Sequence, residues 1–124
     1  MKQFINIATQ REGMPFSDAV LVDGTLYLSG RIGFIPGTLK VPEDPAEEIK
    51  YLLDGLQEVL AAASMTMDDL VHVQIFTPDV SHFSAFNKIY TTYFRGSLPA
   101  RAFIGSGPLL LGARFEVVAV ARKG

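Results

Sequence analysis

The chain contains 124 residues, of which 48% are hydrophobic and 19% are charged, and its formal net charge is −2 at pH 7. This length is typical of a single domain, here residues 1–124; the weakly acidic charge argues against nucleic acid as a partner, and the apolar excess favours a homo-oligomer. The absence of cysteine excludes disulfides and thiolate sites, and two histidines without carboxylates at ligand spacing predict no metal.

The amino-terminal third predicts a β-hairpin. The first residues lack an apolar run long enough for a signal peptide or a membrane span, so we expect a cytoplasmic protein. A short strand is expected over residues 5–8. Two more strands, residues 19–22 and 26–29, flank Asp23-Gly24, a pair that supplies the positive φ angles of a tight turn. Gly30 ends the hairpin, where a missing side chain suits either a β-bulge or the close approach of a ligand, the bulge being the more common.

Two helices are predicted by apolar residues that recur every three or four positions. Residues 31–42, with two glycines and two prolines, are expected to form a loop at the rim of a pocket. Asp44 is a typical N-cap before Pro45. The polar residues of the helix that follows are expected to form a solvated face, namely Glu48, Lys50, Asp54, Gln57 and Glu58. The second helix carries an aromatic stripe over residues 83–94 that indicates core packing, with Asn87 as a surface residue or a cap for a neighbouring loop.

Two later segments alternate as half-buried strands do. Residues 70–76 place His72 on one face, where a lone histidine is more often a packed or interface residue than a general base. Residues 113–121 place Glu116 on a mostly apolar face together with Arg114. Each helix between strands requires a crossover, so the element order predicts an α+β fold, a mixed six-stranded sheet with two helices on one face. Other subunits would cover the second face.

Arg101 lies in a further strand, expected over residues 100–106, between two apolar runs. A guanidinium is always charged, and its burial is costly unless it meets a carboxylate or another planar anion. One interpretation is a ligand-binding arginine. The other is a strand-edge arginine that extends to water or pairs with Glu116 in the next strand.

Six segments together resemble the Rid family, the YjgF-like imine and enamine deaminases. They are Pro15–Ala19, Leu28–Ile32, Met67–Val71, Phe83–Tyr90, Leu98–Arg101 and Phe115–Ala121. The resemblance implies a chorismate-mutase-like fold and a homotrimer with three clefts between subunits. It also implies the hydrolysis of reactive 2-imino or enamine acids, released by pyridoxal-phosphate enzymes, to 2-keto acids and ammonia.

The resemblance also implies site residues. Arg101 would bind the substrate carboxylate through two parallel hydrogen bonds, and Glu116 would position and activate the attacking water. The cleft would be lined by Phe16, Ser29, Gly30, Arg31, Asn87 and Phe103. No cofactor is implied, because an imine carbon is already electrophilic.

The chain departs from the family pattern at four positions. The family often has tyrosine at the position of Phe16, glutamine at those of Asp18 and Arg31, and a small residue such as cysteine at that of Phe103. If Arg31 points inward, a second cation in the cleft should favour acidic substrates. If it points outward, it should pair with Glu43, Asp44 or a neighbouring subunit.

Two other functions fit the same family. One is a non-catalytic regulatory protein that keeps Arg101 as a receptor for small carboxylates. The other is a ribonuclease-like translation inhibitor, which the acidic charge and the absence of basic patches disfavour.

Overall fold

The computed structural model describes residues 1–7 and 13–123. Its regular elements are β1 (Lys2–Ile5), β2 (Ala19–Val22), β3 (Thr25–Ile32), α1 (Pro45–Ala62), β4 (Leu70–Thr77), α2 (Phe83–Tyr90), β5 (Ala100–Gly105) and β6 (Glu116–Arg122). These elements confirm the predicted α+β architecture. The first strand begins earlier than predicted, and Ala8, which was expected to end it, lies outside the described residues.

The six strands form one mixed sheet in the order β1-β2-β3-β6-β4-β5. Every neighbouring pair is antiparallel except β4 and β5, which are parallel and joined through α2. The strands β3 and β4 flank β6 and both run antiparallel to it, so they are parallel to each other and α1 makes the crossover between them. As a result, β5 lies at one edge of the sheet and does not touch β6.

The two helices cover one face of this sheet, as predicted. Alternate residues of the central strands are buried beneath them, including Val73 and Ile75 of β4 and Val117 and Ala119 of β6. The apolar stripe of α1 is almost completely buried against these strands: Ile49, Leu52, Leu53, Leu56, Val59 and Leu60. The residues between them point to the opposite face, which no element of the described chain covers and which we call the open face: His72, Gln74, Phe76, Val118 and Val120.

The start of α1 confirms the predicted cap, but its polar side is not fully solvated. Asp44 Oδ1 accepts a hydrogen bond from the amide of Ala46 at 3.1 Å. Glu48, expected in water, is fully buried: its Oε1 accepts from Arg114 Nη1 at 2.7 Å and its Oε2 from the Arg114 amide at 2.8 Å. Arg114 precedes β6, so the prediction that it shares a strand face with Glu116 is wrong.

The other polar residues of α1 differ in their contacts and exposure. Asp54 accepts a hydrogen bond from the Tyr93 hydroxyl at 2.7 Å, whereas Lys50, Gln57 and Glu58 are exposed as predicted. Over residues 1–7 and 13–123, neither helix has the length and apolar character needed to cross a membrane.

Candidate active site

Glu116, the first residue of β6, lies on the open face beside an irregularity in β3. The pairing of β3 with β6 shifts register between Leu28 and Arg31, so Ser29 and Gly30 leave the regular ladder. A Cβ added to Gly30 would overlap with Oε2 of Glu116. The predicted bulge is therefore present, and the group that approaches Gly30 is a carboxylate of the same chain.

Ser29, Gly30 and Glu116 form the polar floor of a cavity of about 380 Å³, which we call the Glu116 cavity. Its walls are apolar: Ile32 and Phe34, from the end of β3 and the loop after it, are joined by Leu39 from the same loop. Among the residues that the structure describes, Glu116 is the only charged group that lines it.

Two short segments form the rim of the Glu116 cavity. Met14 and Phe16 come from the loop before β2, and Leu110 and Leu111 from the 3₁₀ turn before β6. These side chains remain exposed in one chain, by between 43% for Phe16 and 75% for Leu110. Leu111 has a φ of 57°, a left-handed conformation that is unfavourable for a branched residue. The structure thus brings together four of the predicted site residues: Phe16, Ser29, Gly30 and Glu116.

Arg101 lies elsewhere, on the helix-covered face of the edge strand β5. It pairs in register with the buried Val73 of β4, so its side chain points towards α2. Its Cζ lies 4.9 Å from the ring centroid of Tyr90, 5.6 Å from that of Phe83 and 5.7 Å from that of Phe103. Within the described part of the chain, no carboxylate forms an ion pair with it. The guanidinium is held by aromatic faces, with its charge uncompensated.

The predicted pairing of Arg101 with Glu116 is therefore wrong. The two residues occupy opposite faces of the sheet, and the whole of β4 separates their strands. One chain does not present both of them to a single ligand.

Asn87 and Phe103 lie on the Arg101 side. Phe103 packs edge-on against Phe83 and Phe86, at centroid distances of 5.2 Å and 5.6 Å. Asn87 and Tyr90, one turn apart on α2, each have a buried oxygen without a hydrogen-bond partner among the described residues. Asn87 is thus neither a plain surface residue nor, through its buried oxygen, a loop cap.

Tyr90 was missed as a site residue because its ring belongs to an aromatic stripe that indicates packing. Its side chain is only 2% exposed, and the one signal available in the sequence is a hydroxyl where phenylalanine would pack equally well. Burial raises the pKa of Tyr90 to about 12, and the charge of Arg101 lowers it in part. The phenol therefore stays protonated at neutral pH.

Arg31 does not reach the Glu116 cavity. It pairs in register with the buried Val117 and so points towards α1, where a Cβ on Gly55 would lie 2.6 Å from its Nε. Its Nη1 lies 3.7 Å from Oδ1 of Asp18, and the two side chains are only 14% and 1% exposed. Arg31 thus points away from the Glu116 cavity and pairs with neither Glu43 nor Asp44; it lines a second cavity, of about 350 Å³, on the other face of the sheet.

Neither histidine belongs to the Glu116 cavity or to the surroundings of Arg101. His72 is exposed on the open face, and the ring of His82 packs edge-on against Phe115 at a centroid distance of 5.3 Å. Over residues 1–7 and 13–123, no three His, Asp or Glu side chains are grouped closely enough to hold a metal ion.

Comparison with known proteins extends over nearly the whole chain. The family model of endoribonuclease L-PSP matches residues 9–123. The 2-iminobutanoate/2-iminopropanoate deaminase of Rattus norvegicus is 43% identical over 110 residues, which cover 88% of this chain and 80% of that protein.

Two solved structures have the same fold. A protein of the conserved Rid protein family from Yersinia pestis has a TM-score of 0.87 at 32% identity and covers 99% of this chain and 100% of its own. The YjgF gene product of E. coli has a TM-score of 0.87 at 26% identity and covers 96% of this chain and 98% of its own. The chain therefore belongs to the endoribonuclease L-PSP family, the YjgF-like family that its motifs resemble.

Proposed function

We propose that this protein hydrolyses 2-imino acids and their enamine tautomers, released by pyridoxal-phosphate enzymes in the cytoplasm, to 2-keto acids and ammonia. The observation that carries the proposal is the Glu116 carboxylate, held against Gly30 at the floor of an apolar cavity. The 43% identity to a relative named as a 2-iminobutanoate/2-iminopropanoate deaminase supports the same reaction.

Glu116 is the group that activates water. A carboxylate in an apolar cavity accepts a proton from a bound water molecule while the water oxygen forms a bond to the imine carbon. Glu116 then passes this proton to nitrogen, which gives a carbinolamine. The carbinolamine hydroxyl loses its proton to nitrogen through the same carboxylate as the C=O bond forms and the C–N bond breaks, so ammonia and the 2-keto acid are released. Atoms and charge balance without a cofactor, since water supplies both the oxygen and the protons.

Arg101 binds the substrate carboxylate. The ring faces of Tyr90, Phe83 and Phe103 attract the cation without using its in-plane N–H donors. Those donors match the two oxygens of a carboxylate and hold it through parallel hydrogen bonds.

Both residues act on one substrate only if they come from different chains. Arg101 is on an edge strand and on the opposite face from Glu116, so the Arg101 of one copy must approach the Glu116 cavity of another. We therefore propose a homotrimer with three equivalent clefts between subunits. Phe16, Ser29 and Gly30 line the Glu116 side of each cleft, and Asn87 and Phe103 line the Arg101 side. Arg31 has no direct place in this site.

A complementation experiment tests the reaction and the shared site together. Imines are generated from amino acids by an amino-acid oxidase, and the protein's acceleration of keto-acid and ammonia release is measured. Arg101→Ala and Glu116→Gln alone should be inactive. When the two variants are co-expressed, about a quarter of the clefts should pair an intact Arg101 with an intact Glu116, and activity should return to that extent.

The outcomes separate the candidate functions. No acceleration by the wild-type protein, with keto-acid binding that depends on Arg101, would instead support the regulatory carboxylate receptor. Activity in either single variant close to that of wild type would contradict the assigned roles.

A further inference from the structure

The Glu116 cavity is much larger than the side chains of the smallest 2-imino acids. Its volume of about 380 Å³ lies within the range of roughly 300–1,000 Å³ found for pockets that enclose whole ligands. A methyl or ethyl group would leave most of this space to water, against the carbon atoms of Ile32, Phe34 and Leu39. Water in contact with apolar walls is readily displaced by a larger apolar group.

The charge of the cavity excludes acidic side chains. Glu116 is the only charged residue that lines it within the described part of the chain. Arg31, the cation that a second carboxylate would need, is on the other face of the sheet and beside Asp18. A second carboxylate in this cavity would lie near Glu116, while the Arg101 that another copy brings to the cleft is engaged by the first carboxylate, so the second carboxylate would be repelled.

Two leucines at the rim of the Glu116 cavity are energetically unfavourable, because both are exposed and one has a strained backbone. Leu110 is 75% exposed and Leu111 is 62% exposed, and Leu111 also has the left-handed φ of 57°. Exposed apolar side chains and a strained backbone are typical of positions that contact a ligand or another subunit. Both side chains border the Glu116 cavity, where a bound apolar group would contact them.

We propose that the Glu116 cavity binds the substrate side chain and selects 2-imino acids with large apolar side chains, aromatic or branched, over small aliphatic and acidic ones. This inference rests on the proposed function, since it places the reacting carbon beside Glu116. It makes Leu111 and Leu39 specificity-determining residues of the cavity.

Kinetics on a series of imines test the selection. Imines derived from alanine, leucine, phenylalanine and glutamate are generated in place, and kcat/KM is determined for each. We expect the phenylalanine and leucine imines to exceed the alanine imine by at least about tenfold, the discrimination that a hydrophobic pocket gives for a few carbon atoms. The glutamate imine should be the poorest. An alanine imine that reacts as well as the larger ones would overturn the proposal.

Two cavity variants and one control variant test whether the lining of the cavity causes this selection. Leu111→Gly removes an apolar side chain and suits a positive φ, so the variant should fold at least as well as wild type. This variant and Leu39→Ser should each reduce the phenylalanine-to-alanine ratio several-fold, through a loss on the phenylalanine imine alone. Val80→Ser is the matched control, because Val80 is 57% exposed, like Leu39 at 56%, and does not line the cavity. An unchanged ratio in both cavity variants would assign the cavity no part in selection.

Binding of stable products separates this inference from the proposed function. Calorimetry with phenylpyruvate, pyruvate and 2-oxoglutarate measures side-chain preference without turnover. Phenylpyruvate should bind at least about tenfold more tightly than pyruvate, and Leu111→Gly should reduce the difference several-fold. If no imine is turned over but this preference is found, the deaminase proposal fails and the cavity assignment stands. If imines are turned over and phenylpyruvate shows no preference, the reverse holds.

Discussion

The guanidinium of Arg101 is surrounded by three aromatic rings and by no carboxylate of the described chain. Ring faces orient a cation through their quadrupoles and leave its charge uncompensated, whereas an acidic partner would neutralise it. The rings hold the cation in place before a ligand arrives. The arrangement also depends on planarity, which an ammonium group lacks.

We expect Arg101→Lys to lose most of its activity although the charge is retained. Loss of a bidentate charged contact costs about 2–5 kcal/mol when the partner is buried, which corresponds to a fall in kcat/KM of roughly 30-fold or more. Arg95→Lys, at an exposed position, is the control and should be unchanged. Activity of Arg101→Lys within a few-fold of wild type would indicate a packing role for Arg101.

Tyr90 should make the fold sensitive to alkaline pH. Burial raises the pKa of Tyr90 to about 12, whereas an unfolded tyrosine titrates near pH 10. Between these two values the folded state retains a proton that the unfolded state has lost, so the free energy of unfolding falls as pH rises through this window. Below about pH 10 the two states bind the same number of protons at this group, and its contribution does not change.

Denaturant unfolding from pH 8 to 12 measures this effect. The stability of Tyr90→Phe should decline less steeply than that of wild type between pH 10 and 12. At neutral pH this variant should be as stable as wild type or more so, because the hydroxyl has no partner among the described residues. Tyr51→Phe, at a partly exposed residue of α1 away from the open face, is the control. Parallel pH profiles for wild type and Tyr90→Phe would contradict the assignment.

At the level of single residues, the sequence indicated some contacts of the structure and not others. Glu116 and Gly30 were singled out from local signals, a carboxylate on an apolar strand face and a glycine after a hairpin, and the structure places the two in contact. Asp18 and Arg31 were noted as separate departures from the family pattern, whereas in the structure they face each other across 3.7 Å. Such a pair can be recognised only once the register of β2 and β3 places both residues beside α1.

Among the elements, α1 is tied to the rest of the fold by one buried carboxylate. Glu48 accepts hydrogen bonds from the Arg114 side chain and from the amides of Arg114 and Phe115, which fixes the start of β6 against the helix. Arg114 in turn donates to the carbonyls of Pro42 and Glu43, the residues that precede α1. The start of β6 carries Glu116, so this network also positions the carboxylate of the proposed site.

We therefore expect Glu48→Gln to destabilise the protein by about 3 kcal/mol, since removal of one partner of a buried ion pair leaves the other uncompensated. Glu58→Gln, on the exposed side of the same helix, should change stability by less than about 0.5 kcal/mol. Urea unfolding of both variants provides the measurement. Equal stability of the two variants would show that the network contributes little.

Strands and helices followed their sequence periodicity closely. The Asp44 cap, the apolar stripe of α1 and the turn at Asp23-Gly24 are short-range features, and the structure contains all three. Glu48 was assigned to water because it is a charged residue in an amphipathic helix. Its partner lies 66 residues later, and helical periodicity carries no information about so distant a contact.

At the scale of the whole molecule, the open face and the edge strand both indicate that several copies of the chain associate. Phe76, Val118 and Val120 give the open face an apolar centre that the described part of one chain does not cover. The strand order also separates Arg101 from Glu116, and no reading of strand alternation could have shown this, because it depends on β6 lying between β3 and β4.

Light scattering at micromolar concentration should therefore give three times the mass of one chain. Val120→Asp, a charge at the centre of the open face, should yield monomers without deaminase activity, because neither half of the site acts alone. Val80→Asp, at an exposed position away from that face, should remain trimeric and active. A wild-type monomer with full activity would exclude a shared site.

The contact of Gly30 with Glu116 also predicts which substitutions the protein tolerates at position 30. Any side chain at position 30 must displace the tip of a flexible glutamate, which the fold can accommodate by moving that carboxylate aside. A survey of variants scored for folding should therefore rank position 30 as permissive, while the same survey scored for turnover should rank it as strictly glycine. Under the proposed role of Glu116, the missing side chain at position 30 is what leaves room for the carboxylate.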